Sequence, residues 1–151
     1  MSDFLKQAIK LSSNSAQAGG YPVGAIVVMN GRIIAEGLSD GKNIHDATSH
    51  AEIAAIRAMS IKLGKRDLFD CEIYSSMEPC LMCFSACYWA KIKKITYAIG
   101  KDKLSAHHYE GTFRLDEINE KVNKPLEILQ LKDLEVEALS VVEDWEKNRK
   151  K

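Results

Sequence analysis

Apolar positions change their spacing several times along the first half of the chain. Between residues 3 and 18, Phe4, Ala8, Leu11 and Ser15 recur at helical intervals, with Leu5 and Ile9 beside them. Ser2 or Asp3 stands where a cap would, and Gly19 and Gly20 follow, so this segment reads as an amphipathic helix with a glycine stop. Val23–Met29 is then almost continuously apolar and rich in β-branched residues, and it is followed by Asn30-Gly31 and by Arg32–Glu36. An Asn-Gly pair between two apolar runs is the strongest short-range hairpin signal, so two antiparallel strands are expected. Residues 37–47 are polar and rich in turn formers, which predicts a loop. Thr48 or Ser49 can cap a second helix over His50–Leu63, whose apolar stripe is Ile53, Ile56, Met59 and Leu63 and which Gly64 closes.

Cys71–Ser76 has strand character, and Glu78-Pro79 interrupts it. Pro79 suits the entrance of a helix over Cys80–Ala90. Lys94–Ile99 and Leu126–Leu131 read as strands. Asp133–Lys147 reads as a last helix, with Leu134, Ala138, Val141, Val142 and Trp145 on one side. Residues 101–124 are polar and mixed, with a short helix near Leu115–Lys121. Strands that alternate with helices predict an α/β layered fold whose later strands are parallel. No repeat, linker or low-complexity stretch divides the chain, and 151 residues suit a single domain over 1–151.

Charge narrows the functional classes. Lys+Arg and Asp+Glu are 21 each, a formal net charge of zero, which argues against a domain built to bind nucleic-acid backbone. The one charge run, Glu146–Lys151, is mostly basic and reads as a solvated helix end. No run approaches 18 apolar residues, and Asp3, Lys6 and Lys10 break up the N-terminus, so neither a membrane span nor a secretion signal is expected. The four cysteines, Cys71, Cys80, Cys83 and Cys87, are clustered. In a reducing compartment such a cluster points to metal or catalysis more than to disulfides, so a cytoplasmic protein is expected.

Two motifs carry chemistry. One is His50-Ala51-Glu52 and the other is Pro79-Cys80-Leu81-Met82-Cys83, each at the start of an expected helix. A Cys-x-x-Cys pair alone fits a redox dithiol, half a structural zinc site or packing. The chain between the motifs decides more. The helix after His50 carries it about 20 Å away at 1.5 Å per residue, and the strand at 71–76 returns it by about 20 Å. Cys80 and Cys83 therefore come back to the level of His50, where two helix N-termini would favour thiolate. One imidazole and two thiolates leave one zinc position open, the ligand count of a catalytic site. Glu52, two residues from a ligand, would then move protons without binding the metal. Three other readings remain. They are a structural zinc completed by Cys87 or Cys71, an iron–sulfur site at Cys80, Cys83 and Cys87, and a core histidine among buried cysteines.

His-x-Glu followed by Pro-Cys-x-x-Cys resembles the signature of the cytidine-deaminase-like zinc deaminases. Pro22-Val23-Gly24-Ala25, Ile34–Gly37, Thr48–Ile53 and Glu78–Cys83 carry the resemblance. Cys87–Lys91, together with Trp145 and Asn148, is most similar to the bacterial guanine deaminases within that family. The resemblance implies a three-layer α-β-α fold with a five-stranded mixed sheet, a Zn2+ cofactor, a small nucleobase substrate and a homodimer. It implies His50, Cys80 and Cys83 as metal ligands and Glu52 as proton carrier. The family places an Asn eleven residues before its zinc histidine, whereas this chain has Ser39, followed by Asp40. A serine cannot make the paired donor and acceptor contact of an amide, so Ser39 and Asp40 are candidate substrate contacts of a different kind. Glu110 stands near the place of an acidic substrate contact, and His107, His108 and Tyr109 beside it suit a lid. The backbone N–H groups of Ala51 and Cys80 are candidates to hold the water or the exocyclic group. Trp89 reads as a core side chain or, alternatively, as a pocket wall. The expected activity is hydrolytic deamination of an aminated nucleobase, with guanine foremost. A cytosine or nucleoside deaminase, a tRNA adenosine deaminase and a non-catalytic zinc module are the rivals.

Overall fold

Asn30 and Gly31 both take positive φ, 52° and 73°, and the chain reverses on them. Strand β1 (Gly24–Met29) therefore pairs antiparallel with β2 (Arg32–Leu38), as the Asn-Gly pair predicts, with a register shift between Val27 and Val28. On its other edge β1 pairs antiparallel with β3 (Cys71–Met77). From there the sheet turns parallel: β3 pairs with β4 (Lys94–Ile99), and β4 with β5 (Glu127–Gln130). The order is β2-β1-β3-β4-β5, the expected five-stranded mixed sheet. The computed structural model describes residues 1–105 and 111–149.

Among the described residues, six α-helices accompany the strands: α1 (Ser2–Gln17), α2 (Gly41–Ile44), α3 (Ala51–Leu63), α4 (Leu81–Trp89), α5 (Leu115–Glu120) and α6 (Glu135–Arg149). The two-residue period of the strands sorts their side chains between two layers. Ala25, Val27, Ile73 and Ile95 join Ala55, Met59, Phe84, Cys87 and Leu115, so α3, α4 and α5 cover one face. Ile26, Val28, Tyr74 and Ala98 join Leu5, Ile9, Ala138 and Val142, so α1 and α6 cover the other. Each large side chain fully buried in these layers contributes about 1.5–3 kcal/mol of transfer free energy. Among the described residues, no helix is long and apolar enough to cross a membrane.

Neither Ser2 nor Asp3 caps α1: both lie inside the helix, behind Met1 as N-cap, and no side-chain bond caps that end. The expected loop over 37–47 holds the short helix α2. Three further local expectations need correction, and two of them shape the site. The first concerns the start of α3. It begins at Ala51, with His50 as its N-cap in extended conformation (φ −74°, ψ 162°). Thr48 and Ser49 do not cap it, because their hydroxyls are engaged inside the preceding loop. Thr48 Oγ1 donates to Asp46 Oδ1, and Ser49 Oγ donates to Asp40 Oδ1, both at 2.6 Å. The second concerns which face of α3 is buried. Ala51, Glu52, Ala55 and Met59 are buried, while Ile53, Ile56 and Leu63 are only half-buried. Small residues face the sheet because α3 lies directly on Gly37 of β2, where a Cβ would run into the Ala51 carbonyl and the Ala55 amide. The third is Trp145, which is not packed into the sheet layer. It lies 5.4 Å from the Tyr21 ring, with the Arg149 guanidinium 4.5 Å from its own centroid.

Candidate metal centre

The returning path of the chain does what its lengths predict. His50 ends the loop before α3, and Cys80 ends the turn after β3. Each is the N-cap of its helix and each is extended: Cys80 has φ −69° and ψ 172°. An extended cap directs its side chain across the helix mouth instead of along the helix. Cys83 sits one turn into α4 and is wholly buried, while His50 and Cys80 are partly exposed. The group is thus closed behind Cys83 and open on the His50 and Cys80 side.

His50 Nδ1 lies 3.5 Å from Cys80 Sγ and 3.5 Å from Cys83 Sγ. Zn–S bonds of about 2.3 Å and Zn–N bonds of about 2.0–2.1 Å at the tetrahedral angle put N and S about 3.6 Å apart. Both separations from the imidazole to a sulfur therefore match the N–S edge of a zinc tetrahedron. Among the described residues, these are the three His, Cys, Asp or Glu side chains whose ligand atoms all lie within 4.8 Å of one another. Neither Cys71 nor Cys87 joins them. Cys71 starts β3 at the opposite end of the strand, and Cys87 is buried a turn deeper along α4. A fourth cysteine ligand and a three-cysteine iron–sulfur site are both excluded by this placement.

The electrostatics match a cation site. The Cys80 thiol is pulled down to about 5, first by its hydrogen bond with Cys83 and then by His50. The same bond, together with burial and the nearby Glu52, pushes the Cys83 thiol up. Without a cation the pair therefore holds one proton and one thiolate, and a divalent ion would hold both as thiolates. The Cys83 amide also donates to Cys80 Sγ at 3.4 Å, so the helix start itself supports the sulfur charge.

Glu52 is 3% exposed, on the first turn of α3. Burial pushes its carboxyl above the usual carboxylate range, and a hydrogen bond from Ser75 offsets part of that. Ser75 Oγ donates to Glu52 Oε1 at 2.7 Å. A carboxyl raised toward neutrality beside an open metal position is suited to accept and return a proton.

The expected substrate contacts fall in different places. Ser39 is buried at the end of β2. Its amide donates to Ser15 Oγ at 3.1 Å, which ties the loop to α1. Asp40 accepts the Ser49 hydroxyl and so braces the residue next to His50. Ala51 is fully buried at the first position of α3. Trp89 is not a core side chain. It is 67% exposed at the far end of α4, edge-on to Tyr88 at 5.9 Å. It lies six residues past Cys83, about 9 Å along the helix. Glu110, His107, His108 and Tyr109 fall outside the described residues.

Two side chains with roles here were not singled out in the sequence. Ser75 is one, and its only signal was a hydroxyl in an expected strand that also holds Glu72 and Ser76. Glu78 is the other, read there as part of a break and of the stretch that carries the resemblance, with no role of its own. Its Oε2 accepts the Lys101 amide at 2.8 Å and its Oε1 the Leu115 amide at 3.4 Å. Glu78 thereby holds both flanks of the connection after β4 against the start of α4.

Comparison with known proteins places this geometry in context. Residues 1–99 match the model of the cytidine and deoxycytidylate deaminase zinc-binding region. The guanine deaminase of Bacillus subtilis (strain 168) is 40% identical over 125 residues, 82% of this chain and 78% of that one. The tRNA-specific adenosine deaminase of Aquifex aeolicus is 36% identical over 95 residues, and the match spans 63% of each protein. The X-ray structure of the Bacillus subtilis guanine deaminase superposes with a TM-score of 0.71 at 36% identity. That superposition covers 97% of this chain and 94% of the other.

Proposed function

Because the chain belongs to the cytidine and deoxycytidylate deaminase family and carries its zinc-binding region, we propose that it hydrolyses the exocyclic amine of guanine, with residues 1–151 acting as one domain. The observation that carries the chemistry is one imidazole nitrogen at the zinc-tetrahedron N–S distance from two sulfurs, with a buried carboxylate beside the group. The likeness to the Bacillus subtilis enzyme over most of both chains supports guanine as the ring.

His50, Cys80 and Cys83 would hold zinc. When bound, zinc supplies a Lewis acid that lets water ionise near neutral pH. Glu52 takes a proton from the attacking water as the new C–O bond forms at the amine-bearing carbon. It gives that proton to the adjacent ring nitrogen, then moves a second one to the amine as the C–N bond breaks. Guanine and water thus become the corresponding 2-oxo purine and ammonia. The loop of Ser39 and Asp40, tied to α1 by Ser15 and to the His50 side by Ser49, forms the edge of the base site. The amides of Ala51 and Cys80, at the two helix starts, offer donors to the water or the amine.

Ammonia release from guanine, guanosine, adenine, cytosine and an adenosine-containing tRNA anticodon arm tests the reading side by side. Guanine is expected to exceed each of the others in kcat/KM by about a hundredfold, a difference of about 2.7 kcal/mol. Faster release from cytosine or from the anticodon arm would overturn guanine while leaving the deaminase chemistry in place. No release from any of them would overturn the enzyme itself.

The proposal includes a homodimer. Helix α4 is apolar along nearly its whole length, and a helix that is apolar all round is ordinarily enclosed. Here its outer side leaves Leu81 37% and Trp89 67% exposed. The Leu68 amide bonds the Ala90 carbonyl at 2.7 Å, which brings the exposed Phe69 to the same end of the helix. A second copy would cover this patch, and that is the role we assign to Trp89. Trp89→Asp is expected to shift the mass measured by light scattering from two chains to one. An unchanged mass would remove α4 from the interface. The four free cysteines fit a reducing cytoplasm, which cell fractionation checks.

A further inference from the structure

The catalytic carboxylate has a second partner that the metal motif does not include. Ser75 lies on β3 between Ala25 of β1 and Tyr97 of β4, and it is completely buried. A hydroxyl in the middle of a sheet needs an acceptor, since a buried polar group left unpaired costs about 1–3 kcal/mol. Glu52 Oε1 is that acceptor, at 2.7 Å. The hydroxyl is itself oriented. The Met77 amide donates to Ser75 Oγ at 3.5 Å, so the O–H points away from Met77 toward the carboxylate. The resulting relay runs from the Met77 amide through the Ser75 hydroxyl to Glu52. The Glu52 carboxylate also hydrogen-bonds the Cys83 thiol, one of the three groups proposed to hold the metal.

We infer that Ser75 is a positioning residue for the deamination reaction, anchoring one oxygen of the Glu52 carboxylate and leaving the other to exchange protons with water and substrate. This rests on the reading of Glu52 as proton carrier. A glutamate has three rotatable bonds between backbone and carboxylate, and a buried one without an anchor would turn toward other donors. The strand supplies a rigid anchor, because Ser75 is paired through its backbone on both sides. The hydroxyl also sets the division of labour between the two oxygens. An oxygen that accepts the Ser75 proton at 2.7 Å has one lone pair fewer for shuttling, so Oε2 carries the transferred proton. Misplacing a catalytic group by about 1 Å can reduce turnover about a hundredfold.

Five proteins test this: wild type, Ser75→Ala, Ser75→Thr, Ser75→Val and Glu52→Gln. Each is measured for zinc content, for kcat and KM with guanine, and for the position of Glu52 by crystallography. Ser75→Ala is expected to keep wild-type zinc and a KM within about twofold, while kcat falls about 10- to 100-fold. Ser75→Thr, which restores a hydroxyl, should recover kcat to within about threefold of wild type. The crystal structure of Ser75→Ala should show the carboxylate turned from the position it keeps in Ser75→Thr. Threonine and valine match in shape and both favour strands, so their comparison gives the same answer should the alanine variant fold poorly. A Ser75→Val protein with zinc and full kcat would overturn the proposal, and so would one whose loss lies entirely in KM. If Glu52→Gln is inactive in that case, the function stands and only the role of Ser75 falls. If Glu52→Gln retains full turnover, the proton-carrier reading itself fails.

Discussion

Glu52→Gln is expected to retain zinc and to lose about a thousandfold in kcat. Proton transfer by a positioned side chain contributes about 10²- to 10⁴-fold, and a thousandfold corresponds to about 4 kcal/mol. The substitution is close to isosteric, and the amide oxygen can still accept the Ser75 hydroxyl that Glu52 Oε1 accepts at 2.7 Å. The amide cannot take up and return a proton, so the change isolates that step from folding and metal binding. Stability should move the other way. Burial raises the Glu52 pKa, so the fold prefers the neutral carboxyl. The cost of ionisation is absent below the pKa of the unfolded chain, grows as pH rises from there, and is complete above the folded value. At neutral pH the metal-free glutamine variant should therefore melt higher than the metal-free wild type, by about 2–4 °C per kcal/mol relieved. Turnover within tenfold of wild type would sink the assignment, and calorimetry with a coupled ammonia assay reads both effects.

Loss of a sulfur ligand should have the second large effect. Cys83→Ala removes a buried donor that lies 3.5 Å from His50 Nδ1, and no cysteine stands by to replace it. Zinc is expected to fall from one per chain to near zero. Activity should fall more than about a thousandfold, since the metal supplies several kcal/mol of transition-state stabilisation. Cys71→Ala and Cys87→Ala should keep their zinc, because both sulfurs lie outside the ligand group. A chelator should reproduce the Cys83→Ala activity in the wild-type protein, and added zinc should restore the wild type alone. The chain should remain folded in every case, because neither core layer includes a metal ligand. Binding should also release protons. With Cys80 near 5 and Cys83 held up by their shared hydrogen bond, a neutral solution begins with one thiolate in the pair. Zinc should then expel about one proton per site, measurable by titration calorimetry in buffers of different ionisation enthalpy. Full zinc content in Cys83→Ala would refute the ligand set.

Much of this site could be read from the chain because its logic is local. The hairpin depends on Asn30 and Gly31, whose positive φ values are a property of two residues. The meeting of His50 with Cys80 depends on helix and strand lengths, which spacing alone supplies. The motif His50-Ala51-Glu52 and the pair Cys80 and Cys83 lie within a turn of their helix starts, so their relation to the metal follows from sequence neighbours. Trp89 failed as a core residue for a related reason. Apolar character says that a side chain avoids water, but it does not say whether its own subunit or another covers it.

What the sequence alone determined is therefore the order of strands and helices along the chain and the return of Cys80 and Cys83 to the level of His50, both of which follow from periodicity and element length. The class of chemistry, the three-ligand set and the role of the carboxylate came from the resemblance of the His-x-Glu and Pro-Cys-x-x-Cys motifs to the zinc deaminases. What only the tertiary structure decided is how those groups are held. It placed His50 and Cys80 as extended caps, engaged Thr48 and Ser49 with Asp46 and Asp40 instead of with the helix, and laid α3 against Gly37. It brought Ser75 to Glu52 across 23 residues and Glu78 to Lys101 across another 23. These are contacts between elements, set by packing distance and by the need of each buried polar atom for a partner. Neither requirement leaves a periodic trace in the sequence.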